Sequence, residues 1–277
     1  MQKRINHTLL ALAGVVLLSA CYKKFEPNSY QPALSIGGYT SAKEVAPGSL
    51  IAYWSFDDNL LDSISGTAGT NTGTSFAGGV KGKAMKGAAG SYVLFTPTTA
   101  LLNMSAFTIT YWVNSPVNTS GIVGTVNFSN TKNFWGNIDQ FFENGSTATA
   151  GKFRVHMASQ NGTKEQWIAK DGLPGMFDSW VNIAVSYDGV SVFKFYVNGN
   201  LIQTENNAGF GPFKLENTGK IVFGTVHFQT TPSQTSATGS QPWANYLTGS
   251  LDEVRIYNKA LTDAEVNSLV KLEGRGK

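Results

Sequence analysis

The stretch NFWGNIDQFFENG, residues 133–145, carries two carboxylates, Asp139 and Glu143, spaced so that an extended chain sets both on one face. Paired acids of this kind could hydrolyse a glycosidic bond, one protonating the leaving oxygen while the other attacks or activates water. Four residues at about 3.3 Å each separate the two side-chain origins by roughly 13 Å. Retaining hydrolysis needs about 5–5.5 Å between carboxyls and inverting hydrolysis about 6.5–9.5 Å. The pair is therefore too wide for either. Beyond residue 21 the chain has two histidines, His156 and His227, neither with a His-x-x-x-His or Glu-x-x-His partner. They read as hydrogen-bonded strand residues rather than as metal ligands or bases. Neither a Gly-x-Ser-x-Gly elbow nor a phosphate-cradling loop occurs. Catalysis would require acids gathered from separate strands, and a glycoside hydrolase or lyase of that kind is the enzymatic alternative.

The same stretch suits binding better. Strict alternation puts Trp135, Asn137, Asp139, Phe141 and Glu143 on one face, and Gly136, Ile138, Gln140 and Phe142 on the other. An aromatic ring beside amide and carboxylate groups is what a sugar needs, the ring for CH-rich faces and the polar groups for hydroxyls. Trp167, in NGTKEQWIAKDG, and Trp243, ending TTPSQTSATGSQPW, are further large aromatics in polar surroundings. Trp135, Asn137, Asp139, Trp167 and Trp243 are thus the candidate carbohydrate-binding residues. The competing reading is ordinary packing, with Phe141 marking a core face. Trp54, Trp112 and Trp180 are expected to pack, although Trp112 shares its face with Thr108 and Thr110.

The elements that would carry these residues are short alternating segments separated by Gly, Asn and Ser turns. They include 50–57, 91–95, 107–114, 121–128, 134–143, 152–158, 164–170, 180–188, 191–199, 220–229 and 250–258. Asp188-Gly189 and Asn198-Gly199-Asn200 mark tight turns, because these residues tolerate positive φ. A single helix is expected at the end. Thr262 and Glu265 form a capping box, and Leu261, Val266, Leu269 and Val270 give it an apolar side. The pattern predicts an all-β sandwich of two antiparallel sheets with one short C-terminal helix.

Several segments carry a resemblance. LIAYWSFDDNLLDSISG, FTITYWVN, WVNIAVSYDG followed by FKFYVNGNLI, and GSLDEVRIYNKALTDAEVNSL are similar to the laminin G-like branch of the concanavalin A-like lectin and glucanase superfamily. The resemblance covers residues 49–272 and implies a jelly-roll β-sandwich. It leaves function open, because that fold hosts lectins, adhesion modules, enzyme appendages and glycosidases. The glucanases of the superfamily carry Glu-x-Asp-x-Glu on their active strand. Laid on Asn137-Ile138-Asp139, that pattern puts an amide where the nucleophile belongs, and an amide cannot form the glycosyl ester. The resemblance also implies calcium. Asp57-Asp58-Asn59 follows the first strand and Asp252-Glu253 begins the last, so pairing of terminal strands would gather hard oxygen ligands, with Asp57 and Asp252 as the metal candidates. An Asx-rich turn is the alternative.

The N-terminus reads as an address. Lys3 and Arg4 precede an apolar run from Leu9 to Leu18, too short for a bilayer span but suited to a signal peptide. It ends in Leu18-Ser19-Ala20-Cys21, which resembles the lipobox of bacterial lipoproteins. That resemblance implies cleavage after residue 20, lipid on Cys21 and attachment to a membrane of the cell envelope. Tyr22, where an inner-membrane retention Asp would stand, favours the outer membrane. Cys21 is the single cysteine, which excludes an internal disulfide framework. Loss of Lys3 and Arg4 lowers the net charge from +3 to +1, so the basic balance gives no case for nucleic acid. Residues 21–48 read as a lipidated tether of roughly 30 Å, and residues 49–277 as the sandwich domain. The expected function is an envelope lipoprotein that binds a polysaccharide or glycoprotein glycan without catalysis. A protein–protein adhesion or structural module is the other reading.

Overall fold

The computed structural model describes residues 35–277. The signal segment, Cys21 and the first part of the tether lie outside the described residues. Two sheets pack face to face. The first has eight strands, in the order Asn200–Asn206, Val192–Val197, Trp180–Tyr187, Phe107–Asn114, Ser250–Tyr257, Lys83–Lys86 and Ser75–Gly78, with Leu50–Trp54 also pairing on Ser250–Tyr257. The second has nine. Its main path runs Lys164–Leu173, Gly151–Ser159, Ile138–Phe142, Val126–Asn130, Thr218–Phe223, Tyr92–Phe95 and Thr70–Thr72. Ile122–Gly124 pairs with Ile138–Phe142 and, in parallel, with the short Ala244–Asn245. Every other pairing is antiparallel.

Alternation decides which side chains meet between the sheets. Phe107, Ile109, Tyr111 and Val113 point inward from the first sheet, and Ile138, Phe142, Phe153, Val155 and Met157 from the second. Trp54 lies in this core, edge-on to Phe95 at 4.8 Å and to Phe223 at 5.0 Å. The expected turns form, with Asn198, Gly199 and Gly189 all at positive φ.

The helix Asp263–Glu273 covers the outer face of the first sheet. Thr262 and Glu265 cap it reciprocally, as the sequence predicts. Trp112 is buried here, not between the sheets, which is why it shares a face with Thr108 and Thr110. Its Nε1 donates to Glu273 at 2.9 Å. The same carboxylate accepts from Arg255 Nε at 2.6 Å, and Arg255 Nη2 donates to Glu253 at 2.6 Å. Tyr53 completes the network by donating to Glu253 at 2.7 Å beneath the guanidinium. Buried charges persist only when paired this fully, so the Asp252–Tyr257 stretch and the helix hold each other. Part of the expected tether joins this layer. Ala42–Glu44 forms a turn of 3-10 helix, and Ala42 and Val45 are buried against the apolar side of the C-terminal helix. The packed domain thus begins before residue 49.

Candidate functional site

The outer face of the nine-stranded sheet carries the other notable cluster. Its register sets two rows across three strands. Phe141, Arg154 and Ala169 lie side by side, and Asp139, His156 and Trp167 form the adjacent row. Phe153, Val155 and Met157 take the core side of their strand, so Arg154 and His156 must face out.

Over these rows bends the loop that carries Phe134 and Trp135. The strand expected over 134–143 is confined to Ile138–Phe142. Before it the chain bends through residues 131–135, and at Gly136 any Cβ would collide with the Phe128 carbonyl and lie 2.9 Å from an Asp139 oxygen. Asn130 steadies the turn by accepting from the N–H groups of Lys132 and Asn133. The long loop ending at Trp243 is stitched to it, with Thr235 donating to the Asn133 carbonyl at 2.8 Å.

The result is an aromatic cavity. Trp135 stacks on Phe141 with ring centroids 5.5 Å apart and planes 5° apart, and meets Trp167 edge-on at 5.5 Å. Phe134 and Phe228 link Trp135 to Trp243. A space of about 480 Å³ opens between Trp135, Phe141, Trp167, Trp243, Ile122 and Arg154, within the size range of small-ligand sites. Trp167 and Trp243 remain 37% and 39% exposed. Large rings held open to solvent by a packed base are positioned to receive a partner.

Three of the five expected sugar-binding residues therefore converge, and two do not. Asn137 is buried and donates to the carbonyls of Ser129 and Glu216 and to Thr218 Oγ1, at 3.0–3.1 Å. Asp139 is fully buried beneath the aromatic layer. His156 Nδ1 meets its Oδ2 at 3.1 Å, and His227 Nδ1 lies 3.5 Å from its Oδ1. Burial opposes ionisation of Asp139, but the two imidazoles outweigh it and hold the carboxyl below its ordinary value. Both residues build the base of the cavity rather than line it, which corrects the expectation that they face a ligand. Asp139 and Phe141 do share one face of their strand, as alternation predicts. A covering loop then buried that face.

The acids around the cavity are also engaged. Arg154 pairs with Asp171 at 2.7 Å and with Glu143 at 3.3 Å. Glu165 meets His156 Nε2 at 3.2 Å. Arg154 is the cavity-lining cation that the sequence alone does not single out. Alternation in KFRVHMA marks it as outward-facing, but only the tertiary register brings it beside Phe141.

Asp57 and Asp252 converge elsewhere, on the loop between Ser75–Gly78 and Lys83–Lys86. Asp252 accepts from Val80 and Lys81 N–H at 2.7 and 3.1 Å, and Asp57 from Lys83 N–H at 2.7 Å. Pairing of the terminal strands, Trp54 opposite Val254, achieves this approach. Burial pushes the Asp252 carboxyl up to about 7, the charge of Glu253 adding to it and the N–H groups opposing it. The donor set fits a hard cation in part. Two carboxylates from separate segments face one loop, but Ca²⁺ takes about six to eight oxygens, and no cluster of three His, Cys, Asp or Glu suited to a metal occurs among the described residues. Loop carbonyls and water would have to supply the rest.

Comparison with known proteins agrees with this architecture. The sequence model of the concanavalin A-like lectin/glucanases superfamily, laminin G type, matches residues 86–267. No curated protein matches the chain. Among solved structures, the binding domain of Paraclostridial Mosquitocidal Protein 1 aligns with a TM-score of 0.58 at 17% identity, over 80% of this chain and 52% of that one. The ligand-binding domain of botulinum neurotoxin serotype D, in complex with N-acetylneuraminic acid, aligns at 0.59 and 15% identity, over 83% and 52%. Trypanosoma rangeli sialidase aligns at 0.58 and 11% identity, over 82% and 33%. The chain thus spans about half the length of the first two and a third of the other. At such identities the likeness is one of fold. With two sheets, a capped C-terminal helix and a family match over most of the sandwich, this chain belongs to the concanavalin A-like lectin/glucanase superfamily.

Proposed function

We propose that the aromatic cavity binds a glycan without catalysing a reaction on it. The observation that carries this reading is the convergence of Trp135, Trp167 and Trp243, from three separate segments, around one open cavity. Rings fixed by their neighbours lose little entropy on binding, and their faces match the CH-rich faces of sugar rings. The sialic acid held by the botulinum neurotoxin D domain supports a sugar-binding use of such a fold. Engagement of Glu143, Asp171, Asp139 and Glu165 with basic partners argues against an acid–base pair at this site.

In this proposal Cys21 carries a lipid and the protein belongs to the envelope, at the outer membrane. The packed segment from Ala42 to Val45 lies on the helix-covered face, and the cavity lies on the outer face of the other sheet. Intact mass of the membrane-extracted protein tests the lipid.

A broad glycan array followed by titration tests the binding. Trp167→Ala and Trp243→Ala are expected to weaken the best glycan by roughly tenfold or more, about 1.4 kcal/mol. Because both rings are more than one-third exposed, unfolding should shift by no more than about 1 kcal/mol. Binding untouched by either substitution, or a single stoichiometric protein partner with no glycan, would replace this reading with the adhesion one.

A further inference from the structure

We infer that the cavity selects uncharged glycans and rejects acidic ones, a reading that rests on the glycan-binding proposal above. Arg154 is the cation in the lining, and its charge is already balanced by two carboxylates. Nη1 donates to Asp171 at 2.7 Å and to the carbonyls of Phe153 and Lys170 at 3.1 and 3.2 Å, while Nε faces Glu143 at 3.3 Å. An incoming carboxylate or sulfate would have to displace one of these acids and sit beside the other. Lys152, 3.9 Å from the same Asp171, does not line the cavity.

The remaining walls are rings and aliphatic groups, from Trp135, Phe141, Trp167, Trp243, Ile122 and Ala169. Such walls favour the apolar faces of a neutral sugar, and they strip water from an anion without returning a free positive charge. Glu143 and Asn144, both in the lining, offer a carboxylate and an amide for sugar hydroxyls. A neutral sugar can use both. An acidic one meets Glu143 as a like charge. A fold shared with a sialic-acid binder at 15% identity does not bring that binder's ligand chemistry with it.

The test compares matched neutral and acidic oligosaccharides, the acidic set including sialylated, uronic and sulfated members, in titrations of the full chain. Neutral members are expected to bind at least roughly tenfold more tightly. Their affinity should change less than about twofold between about 20 and about 300 mM NaCl, because no charge pair is formed. Glu143→Gln with Asp171→Asn frees Arg154 and should raise affinity for the acidic set by roughly tenfold. Asp171→Asn alone, at an exposed position, gives a smaller gain and guards against loss of folding. A wild-type preference for acidic glycans, or steep loss of binding with salt, overturns this inference while leaving glycan binding intact. Folded variants that gain no acidic binding overturn the role given to Arg154. Absence of binding to either set overturns the glycan reading, and this inference with it.

Discussion

Replacing Asp139 separates a structural acid from a ligand-binding one. Asp139→Ala removes the carboxylate shared by His156 at 3.1 Å and His227 at 3.5 Å, and all three side chains are essentially without solvent contact. A hydrogen bond to a charged group is worth about 1.5–3 kcal/mol, and each buried polar group left without a partner costs about 1–3 kcal/mol. Breaking a buried charged contact from one side costs about 3–5 kcal/mol in all, and that is the loss expected here. For a domain of this size each kcal/mol moves Tm by roughly 2–4 °C, so Tm should fall by roughly 6–20 °C. Asp139→Asn keeps the shape and one acceptor and should lose about half as much. The acid dependence has a definite sign. The folded carboxyl lies below its ordinary value of 3.8, so its stabilisation is complete above that value and disappears as pH falls through the folded one. The deficit of Asp139→Asn in urea unfolding should therefore be full at neutral pH and shrink in acid. Below its melting range the variant should still bind glycan, because the carboxylate lies under the cavity rather than in it. A Tm unchanged in Asp139→Ala, or a stable Asp139→Asn that no longer binds, would refute this reasoning.

Other outcomes follow from the same contacts. Glu273→Ala leaves Arg255 and Trp112 without their shared acceptor and should cost about 3–5 kcal/mol. Pairing Glu273→Leu with Arg255→Met should cost less than the sum of the single changes in a double-mutant cycle. Gly136→Ala puts a Cβ against the Phe128 carbonyl and Asp139, so stability should fall by about 1–3 kcal/mol and glycan affinity should fall with it, through displacement of Trp135. Calcium at Asp57 and Asp252 is expected to raise Tm, by about 2.7 kcal/mol of stability at one hundred times its Kd. Chelator should reverse the rise and Asp57→Asn should abolish it. A melt indifferent to calcium and chelator removes the ion.

The elements legible in the sequence were those with a buried face. Phe107–Asn114, Trp180–Tyr187 and Ser250–Tyr257 alternate because one side meets the core, and the capping box announced the helix. Thr70–Thr72 and Ser75–Gly78 are not legible in the sequence because they are exposed strands at the sheet edges, held by backbone pairing that leaves no hydrophobic period. The segment 220–229 alternates throughout, yet the strand ends at Phe223. Gly224 takes φ 89° and the chain turns into 3-10 helix at His227–Gln229.

The site was legible in its aromatics and not in its polar groups, for one physical reason. Alternation assigns a residue to a face, but whether that face is wet depends on what another segment lays over it. Trp135, Trp167 and Trp243 stand out because rings of that size in polar segments need a partner wherever they lie. Asn137 and Asp139 carry no such mark. On an open face they would meet hydroxyls, but under the loops carrying Trp135 and Phe228, Asn137 meets Ser129, Glu216 and Thr218, and Asp139 meets His156 and His227. The histidines read singly as strand residues are thus the counterpart of the misplaced acid. Had Asp139 been free to bind sugar, His156 and His227 would have been buried without it. Burial of the polar row is what lets a flat, rigid aromatic floor rest on a sheet face that alternation alone would leave to water.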